Sequence, residues 1–132
     1  MSSRALILAA VAAGAALGGL VRGALAVLAP VSALPWPTLA ANIAGSLLIG
    51  FYAGRLMRKR RLVGDAERHF VIAGVCGGMT TFSVFSLETV ALAADGAWAL
   101  AGGYVALSLP AWLLASAAGW RLGRGSGAVE QA

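Results

Sequence analysis

A chain of 132 residues with 60% hydrophobic and 11% charged side chains is too apolar for a soluble fold. A domain this small leaves a large share of its surface outside the core, and too few charges are present to cover it. The net charge of +5 does not point to nucleic acid, because six of the ten Lys and Arg sit together in residues 55–69. Such a cluster beside apolar runs belongs at anionic lipid headgroups.

Residues 5–21, 38–54, 69–87 and 96–120 hold no Lys, Arg, Asp or Glu. A spanning helix needs about 20 largely apolar residues, with ~17 as the lower limit. The first predicted span, residues 5–28, has Arg22 as its only charge. Gly14 and Gly18 recur in it at helical spacing, as in a packed span rather than a cleaved leader. A turn with three prolines follows, and Pro37 can start the second span, residues 37–54, with Trp36 at the membrane interface. That span holds one strongly polar residue, Asn42. After the basic loop comes the third span, residues 69–93, then the tight connection "ADGA" and the fourth span, residues 98–122. The reading is an all-α membrane protein. Residues 1–122 form a four-helix transmembrane domain, and residues 123–132 a disordered tail. The single cysteine, Cys76, excludes an intrachain disulfide and packs as a small apolar group.

Four spans put both termini and the basic loop on one side. Nine of the ten Lys and Arg lie there and Arg22 lies toward the other. The positive-inside rule would make that side cytoplasmic.

Glycines recur four apart at Gly14/Gly18, Gly19/Gly23, Gly50/Gly54 and Gly74/Gly78, which lets helices approach closely in lipid. Helices packed this closely leave room for a narrow path only, or for one built at an oligomer interface. The third span is unlike a lipid-facing helix. Residues 74–89, "GVCGGMTTFSVFSLET", combine a glycine pair, two adjacent threonines, two serines and a carboxylate around the span midpoint at Met79. Gly77 and Gly78 weaken a helix, and Thr80 and Thr81 compete for its backbone hydrogen bonds. The composition is met either by two intact helices crossing at glycines or by a helix broken at mid-membrane. Broken backbone at that depth requires protein or water around it. Its free carbonyls could bind a cation, or its free N–H groups an anion.

Each of three spans carries a polar line. In the second, Thr38, Asn42 and Ser46 are spaced by four; in the fourth, Tyr104 and Ser108 are. In the third, Thr80, Ser83 and Ser86 run beside a face formed by Phe82, Phe85 and Glu88. An Asn in mid-span serves as interhelical glue or presents amide donors to an anion. A cation path generally needs carboxylates within the spans, and Glu88 is the only one. Hydroxyls, an amide and the positive edges of phenylalanine rings suit a small anion better. Nothing points to an enzyme: His69 has no paired nucleophile, and neither a metal-ligand spacing nor a phosphate loop is present.

At these residues the sequence resembles the Fluc (CrcB) family of fluoride channels. Three segments carry the resemblance. They are "GAALGGLVRGAL" (14–25), "PTLAANIAGSLLIGF" (37–51) and, most specifically, "GVCGGMTTFSVFSLET" (74–89); Tyr104 and Ser108 match less closely. The resemblance implies a multi-pass protein of the plasma (inner) membrane, an antiparallel dual-topology homodimer with two narrow pores that pass fluoride. It places the pore phenylalanines at Phe82 and Phe85 and the pore asparagine at Asn42. Thr81, Ser83, Tyr104 and Ser108 fall on its polar line, together with Thr38 from the second span. Glu88 matches the glutamate near the asparagine, and Arg22 an arginine near the aqueous mouth. The break would hold a structural sodium ion through the backbone carbonyls of Gly77 and Thr80, contributed twice at the dimer centre.

Dual-topology chains have weak Lys/Arg bias, and this one has a strong bias. Loop charges close to headgroups act weakly, or a minority orientation supplies the partner, or the partner is an oppositely inserted paralogue. Two other readings fit a four-span chain. A small multidrug-type cation transporter needs a carboxylate in the first span, which has none. A non-transporting membrane assembly subunit would use the polar lines only as glue.

Overall fold

The computed structural model describes residues 2–30, 32–59 and 64–125. Helix α1 spans Ser3–Leu28 and α2 spans Trp36–Lys59. The third span, Asp65–Ala94, is composite. It contains α3 (Asp65–His69), a π-helical segment (Phe70–Cys76), α4 (Gly77–Met79) and α5 (Phe82–Ala94). Helix α6 spans Trp98–Arg124. Among the described residues, four helices are long and apolar enough to cross a membrane. The 26 residues of α1 reach about 39 Å, beyond a hydrocarbon core of about 30 Å.

The helices run past the charge-free segments because Arg, Leu, Met and Lys are good helix formers. Helix α2 therefore includes Arg55, and the basic loop is shorter than residues 55–69. Its Arg60 and Arg61 lie outside the described residues, as do residues 126–132 of the expected tail; Gly123 and Arg124, placed in that tail by the sequence, belong to α6. Helix α3 carries Asp65 and Glu67 in its first turn and Arg68 and His69 in its last, which complements the helix dipole. Trp36 starts α2, and Pro37 is its second residue, where a missing N–H leaves no helical bond unmade.

Between α5 and α6 the chain reverses through Asp95, Gly96 and Ala97. The Ala97 N–H donates to Leu92 O and the Gly96 N–H to Ala93 O, the paired bonds of a Schellman cap. Gly96 has φ +80°, a conformation that a Cβ disfavours.

Two glycine contacts organise the bundle. On one side α1 lies against the first half of the third span. A Cβ on Gly74 would fall 2.8 Å from Gly14 Cα, and one on Gly78 2.8 Å from Ala15 Cα. On the other side α2 lies against α6, where a Cβ on Gly119 would meet the backbone of Leu47 and Phe51, and one on Gly50 that of Ser116. Gly119 and Gly123 complete this second seam. Among the described residues, nothing lies within 4 Å of a Cβ built on Gly19 or Gly23. Their spacing does not reflect packing within the subunit.

The third helix is broken, and the break lies at the threonines rather than at the glycine pair. Gly77 and Gly78 remain helical in α4, whereas Thr80 (φ −83°, ψ 152°) and Thr81 (φ −152°, ψ 122°) are extended. Gly78 serves close packing, against Ala15, while a Cβ on Gly77 would meet only Ile72 O of its own span at 3.9 Å. The β-branched threonines leave the helix.

Candidate functional site

The broken segment would leave backbone groups unpaired in an apolar setting, and side chains take them up. The Thr80 N–H still reaches Cys76 O at 3.0 Å, and Thr80 Oγ1 donates to that carbonyl at 2.9 Å. The next N–H, of Thr81, would donate to Gly77 O in a continued helix. It donates instead to Asn42 Oδ1 at 2.7 Å, while Asn42 Nδ2 donates to Thr81 O at 3.0 Å. Asn42 is buried, so its amide stands in for a strand partner of Thr81. One of its two N–H donors is thereby used. Thr81 also caps α5, its Oγ1 accepting from Val84 N at 3.1 Å and lying 3.2 Å from Ser83 Oγ.

A second junction ties α2, α5 and α6 together. Thr38 Oγ1 donates to Glu88 Oε1 at 2.7 Å, and Tyr104 OH to Glu88 Oε2 at 2.9 Å. Thr38 and Tyr104 are buried, and both carboxylate oxygens accept a hydroxyl. One turn beyond Tyr104 on α6, the Ser108 hydroxyl is fully buried and has no hydrogen-bond partner among the described residues.

Between the two junctions lie the rings. Phe85 is 4% exposed, with ring centroids 5.0 Å from Tyr104 and 4.9 Å from Trp112. Phe82, 5.6 Å from Phe85, is 68% exposed. Phe82 and Trp112 border a cavity of about 370 Å³ that also contacts Asn42, Ser46, Gly77 and Thr81. The cavity thus has an amide, hydroxyl-bearing residues and aromatic rings around it, with Ile49, Ile72 and Cys76 as apolar wall.

The structure brings Thr38, Asn42, Thr81, Ser83, Phe82, Phe85, Glu88, Tyr104 and Ser108 into one region. The stripe expected through Thr80, Ser83 and Ser86 does not form. Thr80 precedes α5 in extended backbone, and the Ser86 hydroxyl donates to Phe82 O of its own helix at 2.9 Å. Arg22 stands apart from these contacts on α1, half-buried, with no partner for its Nε.

Three features escaped the sequence reading. The π-helical segment has no compositional mark. Pro110 lies inside α6 and removes the N–H that would bond Ala106 O. Trp112 joins the ring cluster; its signal was the four-residue spacing Tyr104, Ser108, Trp112.

A family model described as CrcB-like protein, Camphor Resistance (CrcB), matches residues 9–120. The "Fluoride-specific ion channel FluC" of Opitutus terrae is 48% identical over 109 residues, covering 80% of this chain and 83% of that protein. The protein of the same name from Paramagnetospirillum magneticum is 49% identical over 112 residues, 78% of this chain and 88% of its own. "Fluoride-specific ion channel FluC 1" of Mycobacterium bovis is 42% identical over 110 residues, 82% and 83% of the two chains. With this match across nearly all of its helical region, the chain belongs to the CrcB-like family.

Proposed function

We propose that this chain is a fluoride-selective channel of the cell membrane, and not an enzyme, that lets cytoplasmic fluoride leave passively. The observation that carries the reading is the ring of Phe82, 68% exposed beside a cavity bordered by the Asn42 amide and the Thr81 hydroxyl. An aromatic ring at the centre of a membrane protein, open to a cavity with neutral donors, suits a small anion. The relatives named as fluoride-specific channels supply the ion. A hard anion entering a narrow path loses hydration, which fixed donors must replace.

Such a path needs no coupled energy source. HF is neutral and crosses bilayers, then dissociates at cytoplasmic pH. A negative-inside potential drives a monovalent anion outward by about 2.3 kcal/mol per 100 mV. Asn42, Thr81, Ser83, Phe82, Phe85 and Ser108 would line the path. Thr38 and Tyr104 act through Glu88, whose two oxygens hold their hydroxyl protons. Arg22 would raise anion concentration at a mouth.

The working unit in this reading is an antiparallel homodimer with two pores. Its support is the exposure of Phe82, Leu87 and Val90 on one helix whose opposite side is packed, leaving an apolar surface for lipid or a partner. The break also fits a structural sodium ion. The Gly77 carbonyl loses its helical donor to Asn42, and Thr80 is extended, so both carbonyls would be free to coordinate a hard cation. The ion would supply positive charge at the dimer centre.

The test is fluoride efflux from liposomes loaded with fluoride or chloride, read by ion-selective electrodes. Rapid fluoride loss with chloride retained is the expected outcome. Equal loss of both would remove the selectivity, and loss of neither would favour an assembly subunit without transport.

A further inference from the structure

We infer that Trp112 is a positioning residue for Phe85, fixing the direction in which that ring presents its edge; this rests on the reading of Phe85 as part of the anion path. Phe85 has three aromatic neighbours. Phe82 and Tyr104 meet it at tilted angles of 46° and 53°, neither a stacked nor a perpendicular arrangement. Trp112 meets it at 77° and 4.9 Å, the edge-to-face arrangement that ring quadrupoles favour. Phe82 is too exposed to hold its neighbour firmly. Tyr104, fully buried and tethered through its hydroxyl to Glu88, is a second wall for the ring, and Trp112 adds the edge-to-face contact that favours one Phe85 orientation.

The indole has no polar tether. Its Nε1 is buried and has no hydrogen-bond partner among the described residues, so packing places the ring. Its location on α6, two residues after Pro110 and one turn after Ser108, brings it from the fourth span onto a ring of the third. A phenylalanine edge attracts an anion and its face repels one, so the ring's direction sets how well fluoride is served.

The experiment compares Trp112→Leu, Trp112→Phe and Phe85→Ile in the full chain, measuring dimer yield and both fluoride and chloride efflux. Trp112→Leu is expected to lower the fluoride-to-chloride ratio about fivefold, the scale of one aromatic pair, with dimer retained. Trp112→Phe is expected to rescue the ratio and fold at least as well, because it removes a donor that has no acceptor. Should Trp112→Leu give no dimer, Trp112→Met carries the same expectation. A parent-like ratio in the ring-free variant, while Phe85→Ile loses flux, overturns the inference alone. The inference fails equally if Trp112→Phe is as impaired as Trp112→Leu, since the indole N–H would then be the operative group. Parent-like conduction by Phe85→Ile removes the underlying assignment of Phe85, and the inference with it.

Discussion

The side-chain amide of Asn42 binds both backbone groups of Thr81, accepting from its N–H at 2.7 Å and donating to its carbonyl at 3.0 Å. One residue of α2 thus satisfies the backbone where the third helix is broken. The same exchange releases the Gly77 carbonyl and uses one of two amide donors. A structural role and a place beside the cavity fall on one side chain, which bears on how its substitution will read.

Asn42→Ala should therefore lose stability and flux together. It strips hydrogen bonds from two partly buried groups of Thr81, at a cost of about 2 kcal/mol or more. Thermal unfolding in detergent, set beside fluoride efflux, checks this. A stable Asn42→Ala dimer without flux would mean that the clamp is dispensable and the amide serves only the ion.

Phe82→Ile should separate the two properties. The ring is largely exposed within the subunit, so its loss should change stability by less than about 0.5 kcal/mol. Fluoride flux should fall about tenfold, equivalent to ~1.4 kcal/mol in the barrier. Flux that falls only as far as dimer yield falls would assign Phe82 to packing.

The glycine seams make a sharper structural prediction. Gly119→Ala pushes a methyl into the backbone of α2 and should cost about 1–3 kcal/mol, as overpacking does. Gly19→Ala meets nothing of its own chain and should be neutral or gain about 0.5–1 kcal/mol from helix propensity. Melting temperatures of the two variants test the pair. A large loss at Gly19 would reveal a second chain packed there.

The antiparallel dimer predicts a cross-link that a parallel one cannot make. On a Cys76→Ala background, Ser2→Cys and Ala29→Cys mark the two ends of α1. Opposed subunits should give the mixed Ser2–Ala29 product in active protein. Active dimers yielding only Ser2–Ser2 and Ala29–Ala29 products would establish the parallel arrangement.

Composition and charge spacing alone determined the four spans, because a charged side chain within a span is too costly in lipid to be placed casually. The glycines spaced by four marked both seams, since close approach depends on a missing Cβ, a property of the residue itself. "GGMTT" left two readings open, an intact crossing and a broken helix; in the structure Gly78 packs and the threonines break. That difference was decided by the tertiary structure: whether a backbone can leave a helix depends on what receives its hydrogen bonds, and the receiver, Asn42, lies 39 residues away on another helix. The pairing of Glu88 with Thr38 and Tyr104, the burial of Phe85 beside an exposed Phe82, and the seating of Trp112 share that origin. Each depends on the rotation of one helix against another, which is set by packing along the seams; spacing along one helix marks which residues share a face, not what that face meets.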